Sequence, residues 1–145
     1  MIVKQISVFM ENAPGRLAGV TKVLGDAGIN ILALTIAETG EFGVLRMIVN
    51  DVDKTIETLR KNDFTTATTD VLAVEIPHNP GSLAKIVETF DKNGMNIEYV
   101  YAFVAHNRDE AVIVMRFEDP DKALKVLEQN NIKVISNDEV IKIES

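Results

Sequence analysis

Hydrophobic residues along the first half of the chain follow strand and helix spacings in turn. Residues 5–10 are apolar at every second position, which is typical of a strand with one buried face. Across 16–27 the apolar residues recur at helical spacing, and Gly28 follows where glycine commonly ends a helix. The aliphatic segments 31–37 and 44–49 predict two strands joined by a hairpin.

Two weaker segments complete this half of the chain. Asp53 precedes apolar residues at helical spacing, and we expect it to be the N-cap of a short second helix. Residues 64–69 predict a weak final strand. The predicted order is therefore strand, helix, strand, strand, helix, strand.

The chain repeats itself at an offset of 66 residues. Segment 12–34 aligns without a gap on segment 78–100, with seven identical pairs in 23 positions. An insertion of two residues near 106–107 changes the offset to 68, and Asp51 then aligns with Asp119. The repeat spans nearly the whole chain, so the second half is predicted to repeat the fold of the first.

The second copy shows the same order of elements. We predict strand 72–76, helix 83–90, strands 97–105 and 111–117, a helix capped by Asp121, and strand material at 133–135 and 140–143. This order predicts an α+β protein of two tandem ferredoxin-like βαββαβ modules, each an antiparallel sheet with its helices on one face. We assign residues 1–70 to the first module and 71–145 to the second, with almost no linker between them.

The sheet face opposite the helices is also predicted to be apolar. In segment 97–105, Ile97, Tyr99, Tyr101 and Phe103 share one face, while the alternate residues on the other face, Val100, Ala102 and Val104, are apolar as well. A face that meets water would be polar. We therefore expect a homodimer, in which a second chain covers this face, or cover by the sister module. The alternative is that the two tyrosines are only half-exposed strand aromatics.

Composition and charge exclude several classes of partner. Hydrophobic residues make up 46% of the 145 residues, and the net charge of −7 argues against binding to nucleic acid or to an anionic membrane. The chain has no cysteine, which excludes disulfides and zinc–thiolate sites. With neither a secretory signal nor an apolar run near the ~18 residues of a membrane span, we expect a cytoplasmic protein.

The best candidate ligand site is the loop between the first strand and the first helix of each copy. Its Pro-Gly turn, ending at Gly15 or Gly81, feeds a helix whose first N–H groups favour an anion. We expect the second strand to begin beside this turn, where Asn30 and Asn96 offer both a donor and an acceptor. The alternative is purely structural: Pro-Gly only makes a turn, and the Asn only continues the helix end.

These loops carry a resemblance to a known family. N-A-P-G-R-L-A at 12–18 with G-I-N-I at 28–31, and N-P-G-S-L-A at 79–84 with G-M-N-I at 94–97, resemble the opening of an ACT domain. The resemblance implies a stand-alone pair of ACT repeats that binds an amino acid at module interfaces. By position it implicates Asn12, Ala13, Gly15, Arg16, Leu17, Asn30 and Ile31 in the first copy, and Asn79, Gly81, Ser82, Leu83, Asn96 and Ile97 in the second.

The two copies differ at positions that bear charge. Arg16 aligns with Ser82, and its guanidinium would pair with a ligand carboxylate. Glu98 aligns with Leu32 and would accept a ligand ammonium. A solvated surface charge is the alternative explanation for each of these two residues. We therefore predict two sites that are not equivalent.

Catalysis finds little support in the sequence. His78 and His106 fall in predicted loops without metal-ligand spacing, and the acidic run 118–121 matches 50–53, so helix capping explains it. We expect no enzymatic activity, no metal and no cofactor. RNA-binding modules also use this fold, but they need basic residues around the binding face, and the net charge of −7 argues against them.

The remaining alternative is a regulatory subunit that binds no small ligand. Such a subunit would dock through its apolar face on a biosynthetic enzyme, which is a metabolic enzyme.

Overall fold

A computed structural model describes residues 1–104 and 110–142 of the chain. They divide into two compact units, one formed by Lys4–Thr69 and the other by Met1–Val3 together with the chain from Asp70 onward. The first unit contains the following elements: β1 (Val3–Glu11), α1 (Arg16–Asp26), β2 (Ile31–Glu38), β3 (Phe42–Val49), α2 (Val52–Lys61) and the start of β4 (Thr65–Pro77).

The second unit repeats this order and ends in one extra helix. Its elements are the remainder of β4, then α3 (Ser82–Lys92), β5 (Tyr99–Ala102), β6 (Glu110–Arg116), α4 (Pro120–Gln129), β7 (Lys133–Ile135) and α5 (Asn137–Lys142). The chain passes from one unit to the other inside β4, which leaves no linker.

Both units have the sheet order expected of a ferredoxin-like fold. The first has strand order β2-β3-β1-β4, and the second has β5-β6-β4-β7. Antiparallel pairing sets Val8 opposite Leu45 in the first unit and Val74 opposite Ile113 in the second. The predicted α+β class and the two βαββαβ modules are confirmed.

Each unit buries one sheet face beneath its two helices. In the first unit Ile6 and Val8 of β1 are fully buried with Val20 and Leu24 of α1 and Leu59 of α2. The corresponding core of the second unit contains Leu72, Val74, Ile86, Phe90, Met115, Phe117 and Leu127. Alternate residues of the strands and one stripe of each helix supply these cores, as the spacing predicts.

The first helix of each unit ends at a glycine with positive φ. Gly28 has φ 74°, its N–H donates to Gly25 O, and the Ile29 N–H donates to Leu24 O. This pair of bonds is the Schellman arrangement, which satisfies carbonyls at the helix end. Gly94, with φ 67°, ends α3 with the same two bonds.

The predicted N-caps of the second helices are wrong by two residues. Asp51, rather than Asp53, accepts the N–H of Lys54 and begins α2. Asp119, rather than Asp121, accepts the N–H of Lys122 and begins α4. Asp53 and Asp121 lie in the first helical turns, where their charge also favours the helix dipole.

The C-terminal strand predicted at 140–143 is a helix as far as it is described. Ser136 Oγ accepts the N–H of Glu139, and the Glu139 carboxylate accepts the N–H and the hydroxyl of Ser136. This reciprocal pair is a capping box, and it begins α5 with Val140 buried. Ile143 lies outside the described residues.

The strand predicted at 97–105 is shorter in the structure, where β5 covers only Tyr99–Ala102. Ile97 precedes β5 and packs against the core beneath the helices, so it does not share a face with Tyr99 as predicted. Tyr101 is opposite Val114, and both are buried, so the helix-free face is not water-facing there. Ala105 and the insertion near 106–107 lie outside the described residues.

The left-handed glycines allow a test with an internal control. We expect Gly28→Ala to destabilise the protein by about 1 kcal/mol, because an alanine Cβ opposes positive φ. Gly19→Ala in the middle of α1 should instead stabilise it by about 0.5–1 kcal/mol, since its Cβ would meet no atom within 4 Å. Urea unfolding of the two variants measures both effects. Equal changes of the same sign would contradict this explanation of Gly28.

Candidate ligand site

In the first unit, the turn after β1 leads into a helix that no side chain caps. Gly15 occupies the N-cap position with φ 87°, a left-handed conformation that glycine adopts without a steric penalty. No side chain accepts a hydrogen bond from this helix end, and its first turn has no acidic residue. The uncapped N–H groups and the helix dipole make this end of α1 favourable for an anion.

The second unit repeats this arrangement at α3. Gly81 is the N-cap with φ 88°, again without a side-chain hydrogen bond and without an acid in the first turn. By contrast, α2 and α4 are capped by Asp51 and Asp119. Each unit therefore has one helix with a side-chain cap and one without, in which only the first N–H, of Arg16 or Ser82, donates to a carbonyl of the preceding turn.

A cavity of about 700 Å³ opens at this end of the second unit. It lies between the end of β4, the start of α3 and the turn that joins α4 to β7. Its lining consists of Glu75, Ile76, Pro77, Asn79, Pro80, Gly81, Ser82, Lys85, Ile86, Thr89, Asn130, Asn131, Ile132 and Lys133. The volume lies within the range of small-molecule sites.

The first unit has a cavity of about 510 Å³ at the corresponding place. It is lined by Phe9, Met10, Glu11, Arg16, Phe42, Asn62, Asp63, Phe64 and Thr65. Eight of these positions align with lining positions of the other cavity, four at the offset of 66 and four at 68: Phe9 with Glu75, Met10 with Ile76, Glu11 with Pro77, Arg16 with Ser82, Asn62 with Asn130, Asp63 with Asn131, Phe64 with Ile132 and Thr65 with Lys133.

A buried carboxylate and a lysine form an ion pair across β4 and β7, at the edge of the second cavity. Glu75 Oε2 lies 2.9 Å from Lys133 Nζ, and the Glu75 side chain is only 6% exposed. The two residues are direct cross-strand neighbours in β4 and β7. The hydrogen bond from Lys133 to Glu75 and the charge of that carboxylate hold the pKa of Lys133 above its ordinary value of 10.5, with smaller effects from Glu139 and Glu110.

The first cavity has its charges at the surface instead. Arg16 Nη2 lies 3.3 Å from Glu11 Oε2, with both side chains more than half exposed. An exposed pair of this kind contributes little to stability and exchanges easily with water or a ligand. The two cavities therefore share a backbone frame and differ in their chemistry.

Five predicted site residues lie in or at these cavities. Asn79, Gly81, Ser82 and Arg16 line them, and Gly15 is the N-cap beside the first. Four others lie in the same loops without lining either cavity: Asn12, Ala13, Leu17 and Leu83. Asn12 Nδ2 donates to Gly40 O at 2.9 Å, so it links the loop to the β2–β3 hairpin.

The second-strand residues do not lie beside this loop within their own unit. A strand–helix–strand unit returns the chain to its starting end, so Asn30 follows the far end of α1, about 16 Å away over eleven residues. There its backbone exchanges hydrogen bonds with Asn50. The expected adjacency within a module is therefore wrong. Neither cavity is lined by any of the five residues in question: Asn30, Ile31, Asn96, Ile97 and Glu98.

Glu98 has a partner of its own. Its carboxylate lies 3.7 Å from Arg116 Nε, and its backbone N–H donates to Arg116 O. The structure thus gives this carboxylate a local role beside β6.

The turn after the second helix was not among the predicted site residues. Asp63 and Asn131 occupy it with φ 64° and 54°, a conformation that these residue types tolerate better than most. Asn62 aligns with Asn130 in the repeat, so an Asn followed by Asp or Asn at this place in both copies was a usable signal.

Residues 1–104 and 110–142 contain neither a metal-binding cluster nor a membrane-spanning helix. In those ranges no group of three or more His, Asp or Glu side chains is placed to hold a metal ion. Within the same part of the chain, no helix combines the length and the apolar character that crossing a membrane requires.

Comparison with known proteins identifies a family. A family model described as an ACT domain pair matches residues 1–144. A protein of Bacteroides thetaiotaomicron with a known crystal structure is 40% identical, with a TM-score of 0.91 over 98% of this chain and 97% of that one. No curated protein sequence matches the chain.

More distant solved structures share the fold. The ligand-free regulatory subunit of aspartate kinase from Thermus thermophilus superposes with a TM-score of 0.62 at 19% identity, over 87% of this chain and 90% of that one. The regulatory subunit of aspartate kinase from Thermus flavus gives 0.58 at 19% identity, with the same coverage.

The Glu75–Lys133 pair allows a test against a matched pair at the surface. Lys61 and Glu57 are also 2.9 Å apart, but that carboxylate is 66% exposed. We expect Lys133→Met to destabilise the protein more than Lys61→Met, because it leaves a buried carboxylate without its cation.

The pH dependence of this difference follows from the raised pKa of Lys133. The Lys133 contribution should be complete below about pH 10.5 and lost as pH rises through the folded-state pKa. Urea unfolding of both variants between pH 8 and pH 12 measures it. Equal destabilisation by the two variants at pH 8 would contradict this account of the pair.

Proposed function

The chain belongs to the ACT domain pair family, and from that membership we propose that it is a non-catalytic regulatory protein that binds an amino acid in its two cavities. One observation carries this proposal. Both units leave the start of their first helix uncapped and open a cavity beside it, lined at eight equivalent positions. Shared fold requirements explain the glycines but do not require a cavity in each unit.

The chemistry of the cavities suits an α-amino acid. Uncapped N–H groups favour a carboxylate. In the second unit the Lys85 ammonium adds to this preference, and Asn79, Thr89 and Asn131 offer polar groups. In the first unit Arg16 and Glu11 supply a cation and an anion at the rim. A zwitterion exchanges with this pair without leaving a charge unpaired.

A regulatory role agrees with what the fold relatives are. The Thermus thermophilus protein is the regulatory subunit of an aspartate kinase, and that structure is its ligand-free form. At 19% identity this likeness establishes only the fold. Which amino acid the present chain binds, and which process it regulates, must be determined by experiment.

We expect the protein to form a homodimer, because the edge strand of the first unit is apolar. β2 lies at the edge of its sheet, and Leu34 and Ile36 are 38% and 45% exposed there. Leu17 of α1 is 40% exposed. An edge strand with exposed apolar side chains favours pairing with another chain. Docking on a biosynthetic enzyme is the alternative use of this edge.

A thermal-shift screen of the twenty amino acids tests the sensor function. A binder should stabilise the protein by about 2.7 kcal/mol at a concentration near 100 Kd, because it binds only the folded state. That energy corresponds to a rise of several degrees in Tm. If no amino acid raises Tm, the sensor function fails and docking without a small ligand takes its place.

Introducing a carboxylate at the start of α3 tests whether the ligand binds in the second cavity. Ser82→Asp lies in the second cavity, where the new charge repels a ligand carboxylate while it favours the helix dipole. We expect the variant to be at least as stable as the wild type but to lose most of the ligand-induced shift contributed by the second unit. Ala84→Asp lies in the same helical turn and outside the cavity lining, and it should retain more of that shift.

Sedimentation velocity tests the homodimer. The wild-type protein should sediment as a species of twice the 16.0 kDa chain mass, and Ile36→Lys should shift it toward the monomer. Ile141→Lys places the same charge on an exposed apolar residue of α5 and serves as the control. If the wild-type protein sediments as a monomer, the homodimer proposal is wrong, and docking of the β2 edge on another protein is favoured.

A further inference from the structure

The second unit exposes an apolar edge at the place that corresponds to β2 and α1 of the first. β5 is the edge strand of its sheet, and Val100 is 41% exposed there. Leu83 and Val87 of α3 are 45% and 40% exposed. In the repeat, Leu83 aligns with Leu17. Val100 aligns with Leu34, which is exposed at the edge of the first unit.

The chain therefore has two edges of the same kind. The β2–α1 edge consists of β2 and the exposed flank of α1, and the β5–α3 edge consists of β5 and the exposed flank of α3. Resting on the homodimer proposed above, we infer that unlike edges bind each other: the β2–α1 edge of one chain pairs with the β5–α3 edge of a second copy.

In both edges the exposed strand residues lie on the helix side of the sheet. Leu34 is opposite Met47, and Val100 is opposite Met115. Both methionines are fully buried in the cores beneath the helices. Residues directly opposite each other in a sheet share a face, so Leu34 and Val100 lie on the same side as α1 and α3. One partner can thus cover the strand and the helix of an edge together.

α3 presents bulk and negative charge along its exposed flank. Residues four positions apart share one face of a helix, so Leu83, Val87 and Asp91 form one stripe. Glu88 lies beside this stripe, and all four residues are exposed. Two α3 flanks packed on each other would bring their carboxylates together. This repulsion disfavours the pairing of two β5–α3 edges.

α1 has smaller residues and the opposite charge at the equivalent positions. Those that match Val87, Glu88 and Asp91 are Thr21, Lys22 and Gly25. Lys22 pairs with Asp26 at 3.1 Å, but both side chains are largely exposed, so this pair exchanges easily. Two α1 flanks packed on each other would bring lysine near lysine and small residues onto small residues.

Unlike edges therefore complement each other where like edges do not. The smaller flank of α1 leaves room for the bulkier flank of α3, and Lys22 supplies a cation for the carboxylates of Glu88 and Asp91. Pairing of β2 with β5 satisfies backbone N–H and C=O groups that edge strands leave open. In a dimer each chain offers both edges, which gives two identical contacts related by a two-fold axis.

Mixing two damaged chains tests the inference by sedimentation velocity. Ile36→Lys disables the β2–α1 edge and Val100→Lys disables the β5–α3 edge. We expect each variant alone to raise the dimer Kd by about tenfold or more, because both contacts of its dimer contain one damaged edge. An equimolar mixture should regain a heterodimer, since one of its contacts joins two undamaged edges.

Two further measurements serve as controls. A chain with both substitutions, mixed with the wild type, should form no such heterodimer, because each contact would contain a damaged edge. Circular dichroism checks that each variant is folded. If a strand variant unfolds, Leu17→Lys and Val87→Lys place the same charge on the exposed helix flanks, where lysine suits a helix.

The outcomes distinguish this inference from the homodimer itself. A dimer that Ile36→Lys disrupts and Val100→Lys leaves unchanged would consist of two β2–α1 edges, and it would overturn this inference alone. Disruption by both variants without a heterodimer in the mixture would likewise overturn it alone. A monomeric wild-type protein would overturn both.

Discussion

The structure depends on one constraint: each sheet must bury one face beneath its two helices, although residues of the other face such as Val114 and Ile135 are buried as well. Ile6 and Val8 of β1 meet this constraint with Leu45 and Met47 of β3, and all four are fully buried. Because strand side chains alternate, this burial sets the register of the whole sheet. It also fixes where the loops lie: the end of β1, the start of α1 and the turn after α2 meet at one end of the unit. The cavity is the space left between them.

The repeat shows which part of this site belongs to the backbone and which to the side chains. Gly15 and Gly81 adopt nearly the same conformation and begin uncapped helices, so both copies keep the same frame for an anion. Phe9 and Glu75 occupy the same place in that frame and have no chemistry in common. Such a division lets a duplicated module retain its fold while the side chains around the turn diverge.

Sequence periodicity predicted the fold well because the repeat reported every element twice. It placed the N-caps of α2 and α4 two residues late, since two aspartates flank each helix start and only the hydrogen bond distinguishes them. It missed α5, where a capping box at Ser136 outweighs the strand-like residues that follow. It placed Asn30 beside Gly15, although a helix of eleven residues separates them. Lys133 and Glu75 escaped notice because a pair formed across β4 and β7 leaves no local pattern.

The central claim is that an amino acid binds at the end of each unit where the first helix begins. Glycine amides report on it directly in a ¹⁵N NMR titration, since the chain has only eight glycines. Gly15 and Gly81 lie at the claimed end, while Gly28 and Gly94 lie at the opposite end of the same helices. Titration with an amino acid that stabilises the protein should shift the amide of Gly15 or Gly81 and leave those of Gly28 and Gly94 nearly unchanged. Shifts confined to Gly28 and Gly94 would contradict the account.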